Sequence, residues 1–215
     1  MNSVSNLPVF FLSIFLGFIG ALTPGFAADN SESNSLIKVA CVGDSITAGA
    51  GAPKGESYPD QLQQILGTGW KVQNFGRNGC TMLRNGDRPY WKDKNLQRAQ
   101  DFKPNVVIIM LGTNDSKPQN WVHESEFASD YRDMVKIFQG LESKPRIYIC
   151  HVPTVIEPNR YKISETNSVI IRQRIDGLAT EMNLEVIPMD KAYGNELSVL
   201  KVDSACSFKN PAGPV

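Results

Sequence analysis

The strongest strand signal in this sequence is Val106-Val107-Ile108-Ile109-Met110-Leu111, a continuous apolar run rich in β-branched residues. An uninterrupted run of this kind is typical of a central strand that is buried on both faces of a parallel sheet. The polar turn Gly112-Thr113-Asn114-Asp115 follows directly. The fold is therefore expected to be organised around this strand, with candidate functional residues in the turn behind it.

Segments with strand-like and helix-like patterns alternate on both sides of this run. Further strands are predicted at residues 36–42, 70–75, 146–150 and 184–187. Helices are predicted at residues 57–66, 96–102, 127–141 and 164–182, and a helix or turn at 190–200. This alternation predicts an α/β fold in three layers, an α/β/α sandwich around a flavodoxin-like, five-stranded parallel sheet. Ligands of open parallel sheets bind beyond the carboxyl ends of the strands.

Polar turns follow three of the predicted strands. They are Gly43-Asp44-Ser45, Asn74-Phe75-Gly76-Arg77-Asn78-Gly79 and Gly112-Thr113-Asn114-Asp115. Each alone is typical of an ordinary turn, in which glycine permits the bend and Asp, Asn or Ser bonds to nearby backbone. Because all three are expected at the same edge of one sheet, together they indicate a functional site.

This combination resembles the GDSL/SGNH hydrolase family, through the segments VGDSITAGAG, NFGRNGCT and VIIMLGTND. The similarity runs from Leu36 to about Leu200, and residues 86–91 and 117–121 resemble the sialate O-acetylesterase-like branch. The resemblance implies the SGNH hydrolase fold and hydrolysis of an acyl ester, with an acetyl group on a carbohydrate as the expected substrate. The G-x-S-x-G turn of α/β-hydrolases does not surround Ser45.

The resemblance also implies roles for particular residues. Ser45 would be the nucleophile, activated by a neighbouring base. An oxyanion hole would be formed by the backbone amides of Ser45 and Gly76 and the side-chain amide of Asn114. Asp44 and Asp115 would hold their loops by hydrogen bonds rather than take part in catalysis.

The last block of the family, an Asp followed three residues later by a His, is altered in this sequence. Asp203 matches the Asp, but Cys206 stands at the histidine position, or Phe208 if the alignment follows Asn210-Pro211. The domain is therefore expected to be incomplete at its C-terminus and to lack its last helix. His123 and His151 are the only histidines in the sequence, and each is more readily explained as a structural residue than as a substitute base.

Several interpretations remain open at this point. The chain is an altered copy without its general base, an esterase with an unusual base, or a non-catalytic secreted binding domain with a vestigial site. A lysophospholipase-like or thioesterase-like lipid esterase would share Ser45, Gly76 and Asn114. A phosphate-binding flavodoxin-like module would leave Asn114 and the Gly-Asp-Ser order unexplained.

Composition limits the classes of partner. The 215 residues carry no net formal charge and no basic cluster, which argues against nucleic acid as a partner. Residues 1–28 have the pattern of a signal peptide, 29–35 that of a polar linker, and 36–215 form the predicted esterase domain. We expect a secreted or periplasmic protein that acts on a small-molecule or carbohydrate ester, with no stable membrane insertion after cleavage.

The cysteine spacing gives a further set of expectations. No C-x-x-C pair occurs, so no zinc site is predicted, and neither a metal nor an organic cofactor is expected. Cys41 and Cys150 lie in apolar strands and are expected to be buried thiols. Cys80 and Cys206 lie in loop-like sequence, and a disulfide between them is one pairing that the sequence allows.

Overall fold

The computed structural model describes residues 36–191, which form one parallel sheet with helices on both faces. The strands are β1 (Ile37–Gly43), β2 (Trp70–Gly76), β3 (Val106–Met110), β4 (Arg146–Cys150) and β5 (Glu185–Ile187). The helices are α1 (Ser45–Ala48), α2 (Tyr58–Leu66), α3 (Lys94–Asp101), α4 (Pro118–Trp121), α5 (Phe127–Gln139) and α6 (Glu165–Met182). Short 3-10 turns occur at Tyr90–Lys92, Glu124–Glu126 and Met189–Lys191.

Strand β3 lies at the centre of the sheet, whose order is β2-β1-β3-β4-β5. Every residue of β3 is buried, and it pairs in parallel with β1 on one side and β4 on the other. The order reverses between β1 and β3, since the chain adds β2 outside β1 before returning to the centre. The loops after β1 and β3 therefore leave neighbouring strands at the carboxyl edge, where parallel sheets bind ligands.

Alternate residues of the strands pack into two cores. One face buries Ala40, Val42, Val107 and Ile109 against α3, α5 and α6. The other face buries Val39, Cys41, Ile108 and Met110 against α2, through residues that include Tyr58 and Leu62. Since both faces are covered by helices, the predicted three-layer α/β/α sandwich with a five-stranded parallel sheet is confirmed.

The element boundaries follow local chemistry. Helix α2 begins after Ser57, whose side chain and that of Asp60 form a reciprocal capping box, and Pro59 lies in its first turn. Helix α6 is capped by Ser164, and it ends at Asn183, which adopts a left-handed backbone conformation. The strands and helices predicted within residues 36–191 are all present, with ends that differ by one or two residues for most of them, and most of the helix or turn predicted at 190–200 lies outside the described residues.

Some predictions lie outside the described residues. The signal peptide and linker at 1–35, the expected loss of the last helix and the segment beyond Lys191 belong to this group. Within residues 36–191, no helix is long and apolar enough to cross a membrane. The predicted burial of Cys41 and Cys150 is confirmed, because both thiols lie inside the sheet's second core.

Candidate active site

Ser45 is the first residue of the short helix α1, directly beyond the carboxyl end of β1. Asp44 caps this helix, since its side chain accepts a hydrogen bond from the amide of Ile46 at 2.9 Å. The amide of Ser45, at the start of the helix, has no acceptor within residues 36–191. Ser45 is partly exposed, whereas Asp44 beneath it is fully buried. The serine hydroxyl and a free amide are thus presented together at the sheet edge.

Asn114 brings the three strand-end loops together. Its side-chain amide nitrogen lies 3.4 Å from Asp44 Oδ2 in the first loop and 3.1 Å from the carbonyl oxygen of Cys80 in the second. The residue itself belongs to the third loop and is 5% exposed. The contact with Asp44 is long, so the second amide hydrogen is only weakly engaged. The sequence prediction that these loops meet at one site agrees with this geometry.

Gly76 ends β2 and packs directly on α1. A side chain there would place its Cβ 2.2 Å from the amide nitrogen of Ala48 and 2.7 Å from its Cα. The amide of Gly76 donates a hydrogen bond to Asn74 Oδ1 at 2.8 Å. Asn74 Nδ2 in turn donates to the carbonyl of Thr47 at 2.7 Å. Gly76 therefore allows α1 and β2 to approach closely, and its amide hydrogen already has an acceptor.

Gly79 lies three residues further along the same loop and was not singled out by sequence reasoning. Its φ of 79° falls in the left-handed region that glycine adopts without strain. Its amide has no hydrogen-bond acceptor within the described part of the chain. Gly79 directly precedes Cys80, whose carbonyl contacts Asn114. The left-handed bend was not visible in the sequence, because Gly76 and Gly79 are equally plausible turn glycines there.

Asp115 is fully buried and anchors the second loop to the third. Its two carboxylate oxygens accept hydrogen bonds from the amides of Met82 at 2.9 Å and Leu83 at 2.7 Å. Burial raises the pKa of the Asp115 carboxyl to about 7, although these two hydrogen bonds act in the opposite direction. Burial likewise raises the pKa of Asp44 to about 6. Asp44 thus caps α1 from the first loop, and Asp115 links the third loop to the second.

The loop from Thr81 to Tyr90, called here the 81–90 loop, closes on itself beside the site. The amide of Thr81 donates to the carbonyl of Arg88 at 2.9 Å, and the amide of Tyr90 donates to the carbonyl of Thr81 at 3.0 Å. Its outer part is tied to α5, because the amide of Arg84 donates to Asp130 Oδ2 at 2.8 Å. The loop therefore forms a fixed wall next to Asn114.

Neither described histidine is hydrogen-bonded to Ser45. His151 follows β4 and is 8% exposed, and its Nδ1 contacts Asp190 Oδ1 at 2.7 Å while its Nε2 contacts Asp176 Oδ1 at 2.8 Å. His123 precedes α5, and its Nδ1 lies 3.7 Å from Glu126. Both histidines thus have carboxylate partners of their own. Asp203, Cys206 and Phe208, the residues at issue in the altered last block, lie outside the described residues.

Cys80 is 1% exposed and is packed in the core beneath its loop. Burial raises the pKa of this thiol to about 11. The suggested partner, Cys206, lies outside the described residues, so the pairing stays a prediction. Within residues 36–191, no group of three or more His, Cys, Asp or Glu side chains could hold a metal ion.

A serine at a helix start, an Asn side-chain amide and free backbone amides lie together at the carboxyl edge of the parallel sheet. The profile of the GDSL-like lipase/acylhydrolase family matches residues 41–204. The chain therefore belongs to the GDSL-like lipase/acylhydrolase family, whose members are carboxylic ester hydrolases.

Comparison with known proteins adds one sequence relative and several structures of the same fold. A stretch of 117 residues, 54% of this chain, is 52% identical to an acetylxylan esterase from Xylanibacter ruminicola. The match spans only 24% of that relative's length. The structure of Est24, a carbohydrate acetylesterase from Sinorhizobium meliloti, superposes with a TM-score of 0.60 at 20% identity, over 72% of this chain and 84% of that one. An aryl esterase from M. smegmatis gives a TM-score of 0.57 at 20% identity, with the same two coverages of 72% and 84%.

Proposed function

We propose that this protein hydrolyses acetyl esters of carbohydrates, with Ser45 as the nucleophile. The observation that carries the proposal is the position of Asn114, whose side-chain amide reaches both the Asp44 loop and the Cys80 loop. Asp44 directly precedes Ser45, so this contact supports an amide donor next to the proposed nucleophile. The choice of an acetylated carbohydrate is supported by the 52% identity with part of an acetylxylan esterase.

In the proposed reaction the Ser45 hydroxyl attacks the ester carbonyl and transfers its proton to a general base, which then gives that proton to the departing sugar oxygen. The carbonyl oxygen then carries negative charge, which preorganised hydrogen-bond donors stabilise. Collapse of this intermediate expels the sugar alcohol and leaves an acetyl group on Ser45. Water then attacks the acetyl-serine, releases acetate and restores the hydroxyl.

The proposed oxyanion donors are the amide of Ser45, the side chain of Asn114 and a glycine amide of the second loop. The family resemblance implies Gly76 in this last role, but its amide donates to the side chain of Asn74. The free amide and left-handed backbone of Gly79 support Gly79 in its place. Asp44 and Asp115 act as positioning residues, since their oxygens accept amide hydrogens from the loops that carry the donors.

The general base is proposed to come from the residues beyond Lys191, which lie outside the described part of the chain. Asp203 is proposed to take the place of the family Asp, with Cys206 or Phe208 at the histidine position. Removal of one triad member leaves about 10³–10⁴-fold catalysis over water in a known triad enzyme. A reduced but measurable turnover that depends on Ser45 is therefore expected.

The test compares the purified chain with its Ser45→Ala variant on p-nitrophenyl acetate and on acetylated xylan. We expect acetate release that is lost in Ser45→Ala and kept in Ser125→Ala, which alters an exposed serine. Equal rates with and without Ser45 would contradict the proposal and favour a non-catalytic binding domain. Preference for a lysophospholipid or a long-chain thioester would favour a lipid esterase instead.

Residues 1–28 are proposed to direct export, after which the protein acts outside the cytoplasm on a small-molecule or carbohydrate ester. The apolar, uncharged segment from Val9 to Leu22, followed by Gly25-Phe26-Ala27-Ala28, supports this proposal. An intact mass that begins after Ala27 or Ala28 is the expected result for protein collected from the medium or periplasm. A mass that retains Met1 would contradict cleavage.

A further inference from the structure

Asn120 is an almost fully buried amide with no part in the chemistry described above. It lies in the short helix α4, six residues after Asn114, and is 1% exposed. A buried amide has to satisfy two hydrogens and a carbonyl oxygen, or it costs stability. The partners of Asn120 are therefore informative about its role.

All polar atoms of the Asn120 side chain are engaged. Its Nδ2 donates to the main-chain oxygen of Asn114 at 2.8 Å and to Asp87 Oδ1 at 3.1 Å. Its Oδ1 accepts a hydrogen bond from the amide of Asp87 at 2.8 Å. Asn120 is thus hydrogen-bonded to both the main chain and the side chain of Asp87. Its other amide hydrogen is donated to the carbonyl of Asn114.

Together with the bond from Asn114 to Cys80, these hydrogen bonds link Asn114 to both ends of the 81–90 loop. Asp87 lies near one end of the 81–90 loop, and Cys80 directly precedes the other end. The side chain of Asn114 donates to the carbonyl of Cys80, while its own carbonyl accepts from Asn120. Asn114 is therefore held at its side chain by the residue that precedes the 81–90 loop, and at its main chain by Asn120, which is hydrogen-bonded to Asp87 within that loop.

The 81–90 loop, which carries Asp87, is itself fixed by several contacts. The amides of Met82 and Leu83 are bonded to Asp115, and the guanidinium of Arg84 lies 3.8 Å from the centre of the Trp91 ring. Trp91 Nε1 in turn donates to the carbonyl of Met82 at 2.7 Å. Because Asn120 is hydrogen-bonded to this fixed loop and to Asn114, it can hold Asn114 in a fixed position relative to the loop.

We propose that Asn120, together with Asp87, is a positioning residue that aims the Asn114 amide at the oxyanion. This inference rests on the proposed role of Asn114 and extends it to a residue that does not touch the substrate. A donor displaced by a fraction of an ångström loses its advantage in the transition state while substrate binding changes little. The proposal thus predicts a fall in kcat with little change in KM.

The variants separate this role from general stability. Asn120→Ala removes all three hydrogen bonds. Asp87→Ala leaves the bond from Asn120 to Asn114 but loses the carboxylate tether, and Asp87→Asn keeps an acceptor for Asn120. The matched control is Asn105→Ala, since Asn105 Oδ1 also accepts a main-chain amide hydrogen, from Lys38 at 2.8 Å, at the opposite edge of the sheet.

We expect Asn120→Ala to lower kcat by about 10- to 100-fold on p-nitrophenyl acetate, with KM close to that of the unaltered chain. Asp87→Ala should give a smaller fall in kcat, and Asp87→Asn should restore it. Asn105→Ala should lose stability to urea without loss of kcat. Equal kcat values for Asn120→Ala and Asn105→Ala would overturn the proposal.

A second readout does not depend on turnover. In ¹⁵N-labelled protein, the side-chain amide signal of Asn114, identified by its loss in Asn114→Asp, should shift and exchange faster in Asn120→Ala and in Asp87→Ala but not in Asn105→Ala. An unmoved Asn114 signal in folded Asn120→Ala and Asp87→Ala overturns the positioning role. If the unaltered chain shows no Ser45-dependent turnover, the proposed function fails, while this signal still decides the role of Asn120.

Discussion

The side-chain amide of Asn114 donates a hydrogen bond to the carbonyl of Cys80 at 3.1 Å, although the two residues are 34 positions apart in the sequence. This bond joins the loop after β3 to the loop after β2. It also leaves the second amide hydrogen available for a better acceptor, because the amide nitrogen lies as far as 3.4 Å from Asp44 Oδ2. A substrate oxygen that gains negative charge next to Ser45 would be such an acceptor.

Replacement of Asn114 by alanine is the direct test of this role. We expect Asn114→Ala to lower kcat by 10²–10³-fold, or about 2.7–4 kcal/mol, the range found when one oxyanion donor is removed from a well-studied hydrolase. KM should change much less, because the lost interaction forms mainly in the transition state. Steady-state kinetics on p-nitrophenyl acetate check both values, with Ser125→Ala as the control.

A second prediction concerns Gly76 and the packing of α1 on β2. In Gly76→Ala the new methyl group would meet the backbone of Ala48 at 2.2 Å, and backbone atoms cannot rotate away. We expect a loss of at least about 2 kcal/mol in the free energy of unfolding by urea, as overpacking of this kind commonly costs. Gly69→Ala is the matched control, since nothing lies within 4 Å of its added Cβ. Equal stability of the two variants would contradict the contact.

The sheet and the meeting of the three loops could be predicted from local patterns. The uninterrupted apolar run at β3 indicated a strand buried on both sides, and all of its residues are buried. A parallel sheet then required the turns with Ser45, Gly76 and Asn114 to leave it at the same edge. Asn114 does contact the first and second loops, as this reasoning required.

The finer parts of the site could not be predicted, because they depend on contacts between distant residues. The acceptor of the Gly76 amide is the side chain of Asn74, and nothing in the sequence shows which way that side chain turns. The pairing of Asn120 with Asp87 joins residues 33 positions apart through a loop without regular structure. The two carboxylate partners of His151 come from a helix and a 3-10 turn that sequence periodicity does not place together.

Buried Asp115 should make stability depend on pH. Burial raises its pKa from 3.8 to about 7, so the folded state binds a proton more tightly than the unfolded state does. Its contribution to the free energy of unfolding is therefore fully present below pH 3.8, and it is lost as the pH rises through about 7. For one such group the free energy of unfolding changes by at most about 1.4 kcal/mol per pH unit. Asp44, whose pKa is also raised, changes it in the same direction.

Urea unfolding from about pH 4 to pH 7 in the unaltered chain and in Asp115→Asn measures this effect. The variant cannot ionise, so its stability should vary less over that range. It should also be less stable overall by about 1–3 kcal/mol, because an amide offers one oxygen to two donors, the amides of Met82 and Leu83. Parallel pH curves for the two proteins would contradict the assignment.

The last prediction concerns His151, the buried histidine held between Asp190 and Asp176. Both of its ring nitrogens contact carboxylate oxygens, and neither is hydrogen-bonded to Ser45. We expect His151→Gln to lower the free energy of unfolding by about 1–2 kcal/mol, since a glutamine cannot reproduce both hydrogen bonds. The kcat for p-nitrophenyl acetate and its pH profile should stay the same.

Asp176→Asn is the companion variant, because it alters only the partner of Nε2 at the exposed side of the histidine. Its free energy of unfolding should fall less than that of His151→Gln, and its activity should be unchanged. A large fall in kcat for folded His151→Gln, with a changed pH profile, would instead assign His151 as the general base. That result would move the proton acceptor from the residues beyond Lys191 to the end of β4, and would leave Asp203 without a catalytic role.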